Sequence, residues 1–237
     1  MVARSPEKEP PPIRDIRGVV FDLDGTLYTA RFLGLTIATG LLRELGLLKK
    51  LFAVRKIERP KRYDNLREFK NGFANTFSEL AGISPDRALD WYENRFMPRF
   101  TYAIGKRGRR RAGLTALLEQ LKASGVKLAV ISDFGMVNER LEAIGLPPDL
   151  FDIAEGAETF GVMKPTDIPF VHIADAWQIP IENLLLIGDR DDHDRRSADL
   201  AGAQFIGIAG TKNEGADFLA WDEALKVIAA AARPRRG

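Results

Sequence analysis

Two aspartates one residue apart, Asp22 and Asp24, follow the apolar run Val19-Val20-Phe21 and precede Gly25-Thr26. Carboxylates at that spacing can bind a cation together, or divide the roles of nucleophile and acid/base. The Asp-Gly pair is also an ordinary turn signal, so the rest of the chain must decide between site and turn. Further acids, Asp189, Asp191, Asp192 and Asp194, follow the apolar run that begins at Leu184. Ser132 and Asp133 follow Val130-Ile131, and Lys164-Pro165 lies between these groups. Clustered carboxylates without Cys or His partners favour a hard cation with oxygen ligands, most simply Mg²⁺. A lysine and a serine beside such a cation suit a phosphate group, whose charge the three can share.

Those residues must be brought to one place by the elements that carry them. The runs at residues 18–23, 126–131, 184–187 and 204–208 are apolar throughout, as expected of strands covered on both faces of a parallel sheet. A further short strand is expected at 151–154. Helical patterns at about 114–121, 137–144, 168–177 and 216–232 alternate with the strands. This rhythm predicts an α/β fold, a doubly wound parallel sheet with a Rossmann-like core. Ligands bind such sheets at the carboxyl edge, where Asp22, Ser132 and Asp189 all fall.

A parallel crossover needs about thirty residues or a little more. The gap between the first two strands is several times longer, and it reads as helix throughout. Leu66, Phe69, Phe73, Phe77 and Leu80 recur at helical spacing, with Asn65 as a cap and Gly82 as a stop. Ser84-Pro85 starts another helix, which carries Trp91, Tyr92 and Phe96 up to Met97-Pro98. The expected organisation is a disordered or extended lead-in over 1–15, a core of 16–29 and 112–237, and an inserted helical bundle over 30–111. The basic run Lys106 to Arg111 reads as a solvated hinge, and the basic C-terminus as a disordered tail.

Composition narrows the function classes. The chain has 237 residues, 45% hydrophobic and 29% charged, enough for a substantial core. A net charge of +2 argues for neither nucleic acid nor a membrane surface as partner. With no cysteine there are no disulfides or thiolate metal sites. No secretory signal or bilayer-spanning run is visible, so a cytoplasmic protein is expected. Only two histidines are present: His172 is expected to be structural and His193 to be a surface residue.

In order along the chain, Asp22-Leu23-Asp24-Gly25-Thr26-Leu27, Ser132, Lys164-Pro165 and Gly188-Asp189-Arg190-Asp191-Asp192-His193-Asp194 resemble the four motifs of the haloacid dehalogenase superfamily, most of whose members are phosphatases. The resemblance implies a helical cap after the first strand. It implies Asp22 as a nucleophile forming an aspartyl-phosphate, and Asp24 as the acid/base. Ser132, Lys164 and the backbone N–H of Asp133 would bind the phosphate. Asp22, the backbone carbonyl of Asp24, Asp189 and Asp194 would serve Mg²⁺, with Asp192 the next choice after Asp194. Asp133 stands where asparagine is frequent, and its carboxylate is expected to point away from the anion.

The expected activity is a Mg²⁺-dependent phosphatase acting on a small phosphorylated metabolite. A phosphomutase would use the same residues. A haloacid dehalogenase would need neither the metal nor an acid at Asp24. A non-catalytic binding protein on the same scaffold is the alternative from another class.

Overall fold

The structure, a computed structural model, describes residues 13–210 and 217–231. The chain enters its sheet at β1 (Gly18–Phe21) and leaves through β2 (Tyr28–Ala30). It then runs through α1 (Leu33–Gly40), α2 (Leu45–Glu58), α3 (Leu66–Ala81), α4 (Pro85–Trp91) and α5 (Met97–Arg107) to β3 (Gly108–Arg110). The α/β part follows as α6 (Leu114–Ala123), β4 (Lys127–Ser132), α7 (Val137–Ala143), β5 (Ile153–Gly156) and α8 (Ile168–Trp177). It ends with β6 (Leu184–Gly188), α9 (Arg196–Ala201), β7 (Gln204–Ile208), β8 (Phe218–Leu219) and α10 (Trp221–Ala231).

Among the described residues the main sheet has the strand order β5-β4-β1-β6-β7-β8, with every pair parallel. Val20 lies level with Ala129 on one side and Leu186 on the other. Alternate residues serve opposite faces. Val19, Phe21, Leu128, Val130, Leu185 and Ile187 pack into one apolar core. Val20, Ala129, Ile131, Leu184 and Leu186 pack into the other. Covering both faces is what the uninterrupted apolar strands require, and it leaves their carboxyl ends free to carry polar groups.

The helices between β2 and β3 pack around aromatic side chains. Asn65 caps α3 by accepting from Glu68 N at 3.1 Å, and Gly82 ends it in the left-handed region at φ 67°. Ser84 Oγ accepts from Arg87 N at the start of α4. Phe73 and Phe77 meet edge to face at 5.9 Å, and Phe77 meets Trp91 at 5.5 Å. Such rings supply both area and defined geometry. Leu80, expected on the same stripe, lies at the exposed end.

Four expectations need correction. Segment 30–111 is not purely helical at its boundaries: β2 and β3 form an antiparallel ribbon with Tyr28 opposite Arg110. These three-residue strands are too short to show period-two alternation. The helix expected to stop at Met97-Pro98 instead passes through a π-type turn over 92–96, where Met97 N donates to Tyr92 O, into α5, which carries Pro98 in its first turn. The basic run is the end of α5 plus β3, and Arg111 binds Thr26 O at 2.9 Å and Gly25 O at 2.7 Å. Of the tail expected as helix over 216–232, residues 216 and 232 lie outside the described residues, and within the described part β8 precedes α10. Of the lead-in, residues 1–12 lie outside the described residues, as do residues 232–237 of the C-terminal tail. No helix among the described residues is long and apolar enough to cross a membrane.

Candidate active site

The site is built on the carboxyl edge of β1, β4 and β6. Asp22 prolongs β1 by one residue, donating its N–H to Ile187 O at 2.8 Å. Gly25 then turns the chain at φ 92°. A Cβ there would lie 2.1 Å from Asp189 Oδ2, so both the backbone angle and the close approach of β6's acid require glycine. Gly188 allows a similar approach, since a Cβ on it would lie 2.3 Å from Asp194 Cβ.

Lys164, only 2% exposed, unites the acids. Its Nζ donates to Asp22 Oδ1 and to Asp194 Oδ1, each at 2.8 Å. Thr26 Oγ1 donates to the other oxygen of Asp22 at 3.2 Å. Asp194 Oδ2 accepts from Arg190 N at 3.1 Å. Asp22, Asp189 and Asp194 each present a carboxylate oxygen within 4.8 Å of the others. An all-oxygen set of this kind fits a hard divalent cation. Asp191 and Asp192 stay outside it, exposed and paired with Arg195 at 3.0 Å and Arg190 at 2.8 Å.

The electrostatics show how crowded the acids are. Burial raises the Asp22 carboxyl, Lys164 lowers it, and Asp194, Asp189 and Asp24 raise it again, leaving it well above the usual carboxylate range. Burial, followed by the charge of Asp194, pushes Asp189 up to about 6. Burial pulls the Lys164 ammonium down, but Asp194, Asp22 and Asp133 more than offset this and raise it. A site in which carboxylates outnumber their cation favours added positive charge.

Asp24 has partners of its own. Tyr28 OH donates to Oδ1 at 2.6 Å. Arg140 Nη2 donates to Oδ2, and Ser132 Oγ lies 3.3 Å from that same oxygen. Arg140 is fully buried. Neither Tyr28 nor Arg140 belongs to the residues expected from sequence. A signal for Arg140 exists: it lies on the stripe formed by Val137 and Leu141 of α7 and its C-cap Ile144, where a charge must be buried and therefore paired.

Asp133 points opposite to expectation. Its Oδ2 accepts from Arg59 Nη1 at 2.8 Å and lies 3.6 Å from Arg55 Nη2, while its Oδ1 accepts from Lys164 N at 2.8 Å. Burial raises this carboxyl, but Arg55, Arg59 and Lys164 outweigh it and hold it at about 2. The two arginines, Arg55 in the last turn of α2 and Arg59 at its C-cap, make the inward orientation favourable. Arg55 also lies 3.7 Å over the Phe134 ring and donates to Asp133 O at 2.9 Å. A cavity of about 220 Å³ separates this wall from the acids, lined by Asp22, Asp24, Lys164, Asp194, Phe52, Arg55, Arg59 and His193 among others. His193 is thus a wall residue, with its side chain 12% exposed. Burial and Arg59 lower it to about 4, so at neutral pH it is uncharged. His172 is exposed on α8 and meets the Phe160 ring edge-on.

Comparison with known proteins follows the same lines. The family model described as haloacid dehalogenase-like hydrolase matches residues 16–202. A phosphoglycolate phosphatase from Nitrosospira multiformis is 28% identical over 219 residues, covering 85% of this chain and 87% of that one. A phosphoglycolate phosphatase from Aquifex aeolicus is 27% identical over 178 residues, covering 74% and 77%. Among solved structures, a 2-haloacid dehalogenase from Pseudomonas syringae superposes with a TM-score of 0.60 at 20% identity, covering 91% of this chain and 99% of that one. That last likeness shows the shared fold.

Proposed function

The chain belongs to the haloacid dehalogenase-like hydrolases, and from that membership and the site's geometry we propose that it is a Mg²⁺-dependent phosphatase of a small phosphorylated metabolite. The observation that carries the reading is Lys164 bridging Asp22 and Asp194 beside the third carboxylate, Asp189. A bare carboxylate would repel a phosphate dianion, so an attack by Asp22 needs cations on both reactants. Asp22, Asp189 and Asp194 would hold Mg²⁺, which when bound supplies positive charge beside the phosphate.

In this reading a carboxylate oxygen of Asp22 bonds to phosphorus, and the ester oxygen leaves with a proton from Asp24. Water then attacks the same phosphorus and gives a proton to Asp24. The bond from phosphorus to Asp22 breaks, which releases phosphate and restores both carboxyl groups. Lys164 stays paired with Asp22 and offsets the phosphoryl charge. Ser132 Oγ and the backbone N–H of Asp133 would donate to phosphoryl oxygens.

Residues 30–111 act as the cap, closing over the edge to exclude water and choose the substrate. Arg55 and Arg59 face the site with a single shared carboxylate. The surplus positive charge suits a substrate with a second anionic group near its phosphoester. Phosphoglycolate, the compound in the names of two relatives, has a carboxylate in that place.

The test is a panel of phosphomonoesters assayed with and without Mg²⁺. Free phosphate should appear only with the metal, and D22N should lower the rate on the order of 10⁴-fold or more while the protein still folds. Undiminished hydrolysis by D22N overturns the assignment. Phosphate retained on a sugar product marks a mutase, and metal-independent halide release a dehalogenase.

A further inference from the structure

Arg140 is the most deeply buried charged group at this site, and the four motifs do not account for it. Its guanidinium has no exposed surface, and its carboxylate partner is Asp24. One end, Nη1, donates to Phe134 O at 2.8 Å and Gly135 O at 3.1 Å. The other end, Nη2, reaches both Asp24 and Ser132 Oγ, the latter at 3.0 Å. The group lies 5.0 Å from the Phe100 ring of α5 and 5.9 Å from that of Phe134. A planar guanidinium fixed by four acceptors and two rings cannot shift without breaking several contacts. Tyr28 holds the second Asp24 oxygen from the opposite side.

We propose that Arg140, with Tyr28, is a positioning residue that fixes the Asp24 carboxylate for proton transfer and ties it to Ser132 and α5. This rests on the phosphatase reading, in which Asp24 serves two steps. It gives a proton to the leaving oxygen, and it takes one from the attacking water as the bond between phosphorus and Asp22 breaks. The two steps differ in how much they need a well-placed Asp24. A nitrophenolate leaves without a proton, so the first step then proceeds unaided. An alkoxide needs the proton, so with an alkyl ester both steps depend on Asp24. Water needs its base with either substrate.

The experiment compares wild type, R140K, R140M and Y28F on p-nitrophenyl phosphate and on an alkyl phosphate, with Mg²⁺. Rapid mixing reads the burst, and acid quench reads the phosphoenzyme. With the nitrophenyl ester, R140M should keep a burst stoichiometric with enzyme, lose about 10²-fold in steady-state rate and accumulate phosphoenzyme. With the alkyl ester, burst and steady state should fall together. R140K should recover part of the loss, and Y28F should show the same pattern more weakly. A folded R140M whose burst and steady state fall equally on the nitrophenyl ester has a merely structural defect, and this overturns the proposal. An R140M faster than wild type overturns it too, since Arg140 would then be holding Asp24 away from substrate. Should R140M fail to fold, R140K and Y28F decide by the same criterion: phosphoenzyme accumulation supports the proposal and its absence overturns it. Wild type that releases no phosphate from any ester, with Mg²⁺ present, defeats the phosphatase reading itself, which separates the two failures.

Discussion

At the carboxyl edge of the sheet, Asp22 and Asp194 share one buried lysine, with Asp189 beside them; across the cavity, at the C-terminal end of α2, two arginines share one aspartate. The edge is short of positive charge and the wall has a surplus. The consequences appear in opposite directions: Asp22 and Asp189 are raised, whereas Asp133 is held at about 2. On the proposed reading, a phosphate ester with a bound cation would meet both needs at once: the phosphoryl end and its metal would complete the edge, and the rest of the substrate would face the wall. The difference also assigns risk. Losing a cation should damage the edge most, and losing an anion should damage the wall.

K164M tests the edge, and it should have the largest effect. Removing one partner of a buried pair leaves uncompensated charge and costs about 3–5 kcal/mol. Chemical denaturation should show that loss, and added Mg²⁺ should recover part of it by binding the freed acids. A K164M protein as stable as wild type without metal would break the contrast.

Protonating Asp133 tests the wall. Its folded value of about 2 lies below the ordinary 3.8. The stability it contributes is therefore complete above pH 4 and is lost as pH falls through about 2. The span is worth roughly 2 kcal/mol. Wild type should exceed D133N by that amount at pH 5, and the gap should close towards pH 2 in parallel denaturation series. A constant gap would mean that Asp133 does not act through its charge.

The smallest effect sharpens the comparison. R59M should lower kcat/KM about 10-fold, or ~1.4 kcal/mol, for an ester with a second anionic group. It should change an alkyl phosphate with no second charged group by less than about 2-fold. Equal losses on both esters would place Arg59 in a structural role against Asp133 and Lys164 O, with no part in specificity.

Much of this was legible from local pattern. The strand at Leu184–Gly188 and the helix at Ile168–Trp177 coincide with their apolar runs, because a strand covered on both faces has no alternation to misread. The acids that end those strands had to meet at one edge, since parallel strands point the same way. Lys164 was legible only as a lysine before Pro165; that it bridges Asp22 and Asp194 depends on a loop crossing the edge.

The wall was not legible. Arg55 and Arg59 are more than 70 residues from Asp133, as the separations of 78 and 74 show. No local spacing encodes which helix face turns towards the sheet. The expectation that Asp133 points away failed for that reason: without the arginines an inward acid near an anion is unfavourable, and with them it is held in place. Arg140 is 116 residues from Asp24, and its burial shows only in a charged residue on an otherwise apolar stripe.

By itself, then, the sequence determined the α/β rhythm, the four strand and loop ends that converge, and the glycine at which the chain turns after Asp24. Those follow from short-range sterics and from hydrophobic period, which act within a few residues. The packing of α2 against the edge, the pairing of Arg140 with Asp24, and the balance of charge across the cavity were decided by tertiary structure alone. Coulombic and packing energies depend on distance in space, and only the assembled fold sets those distances.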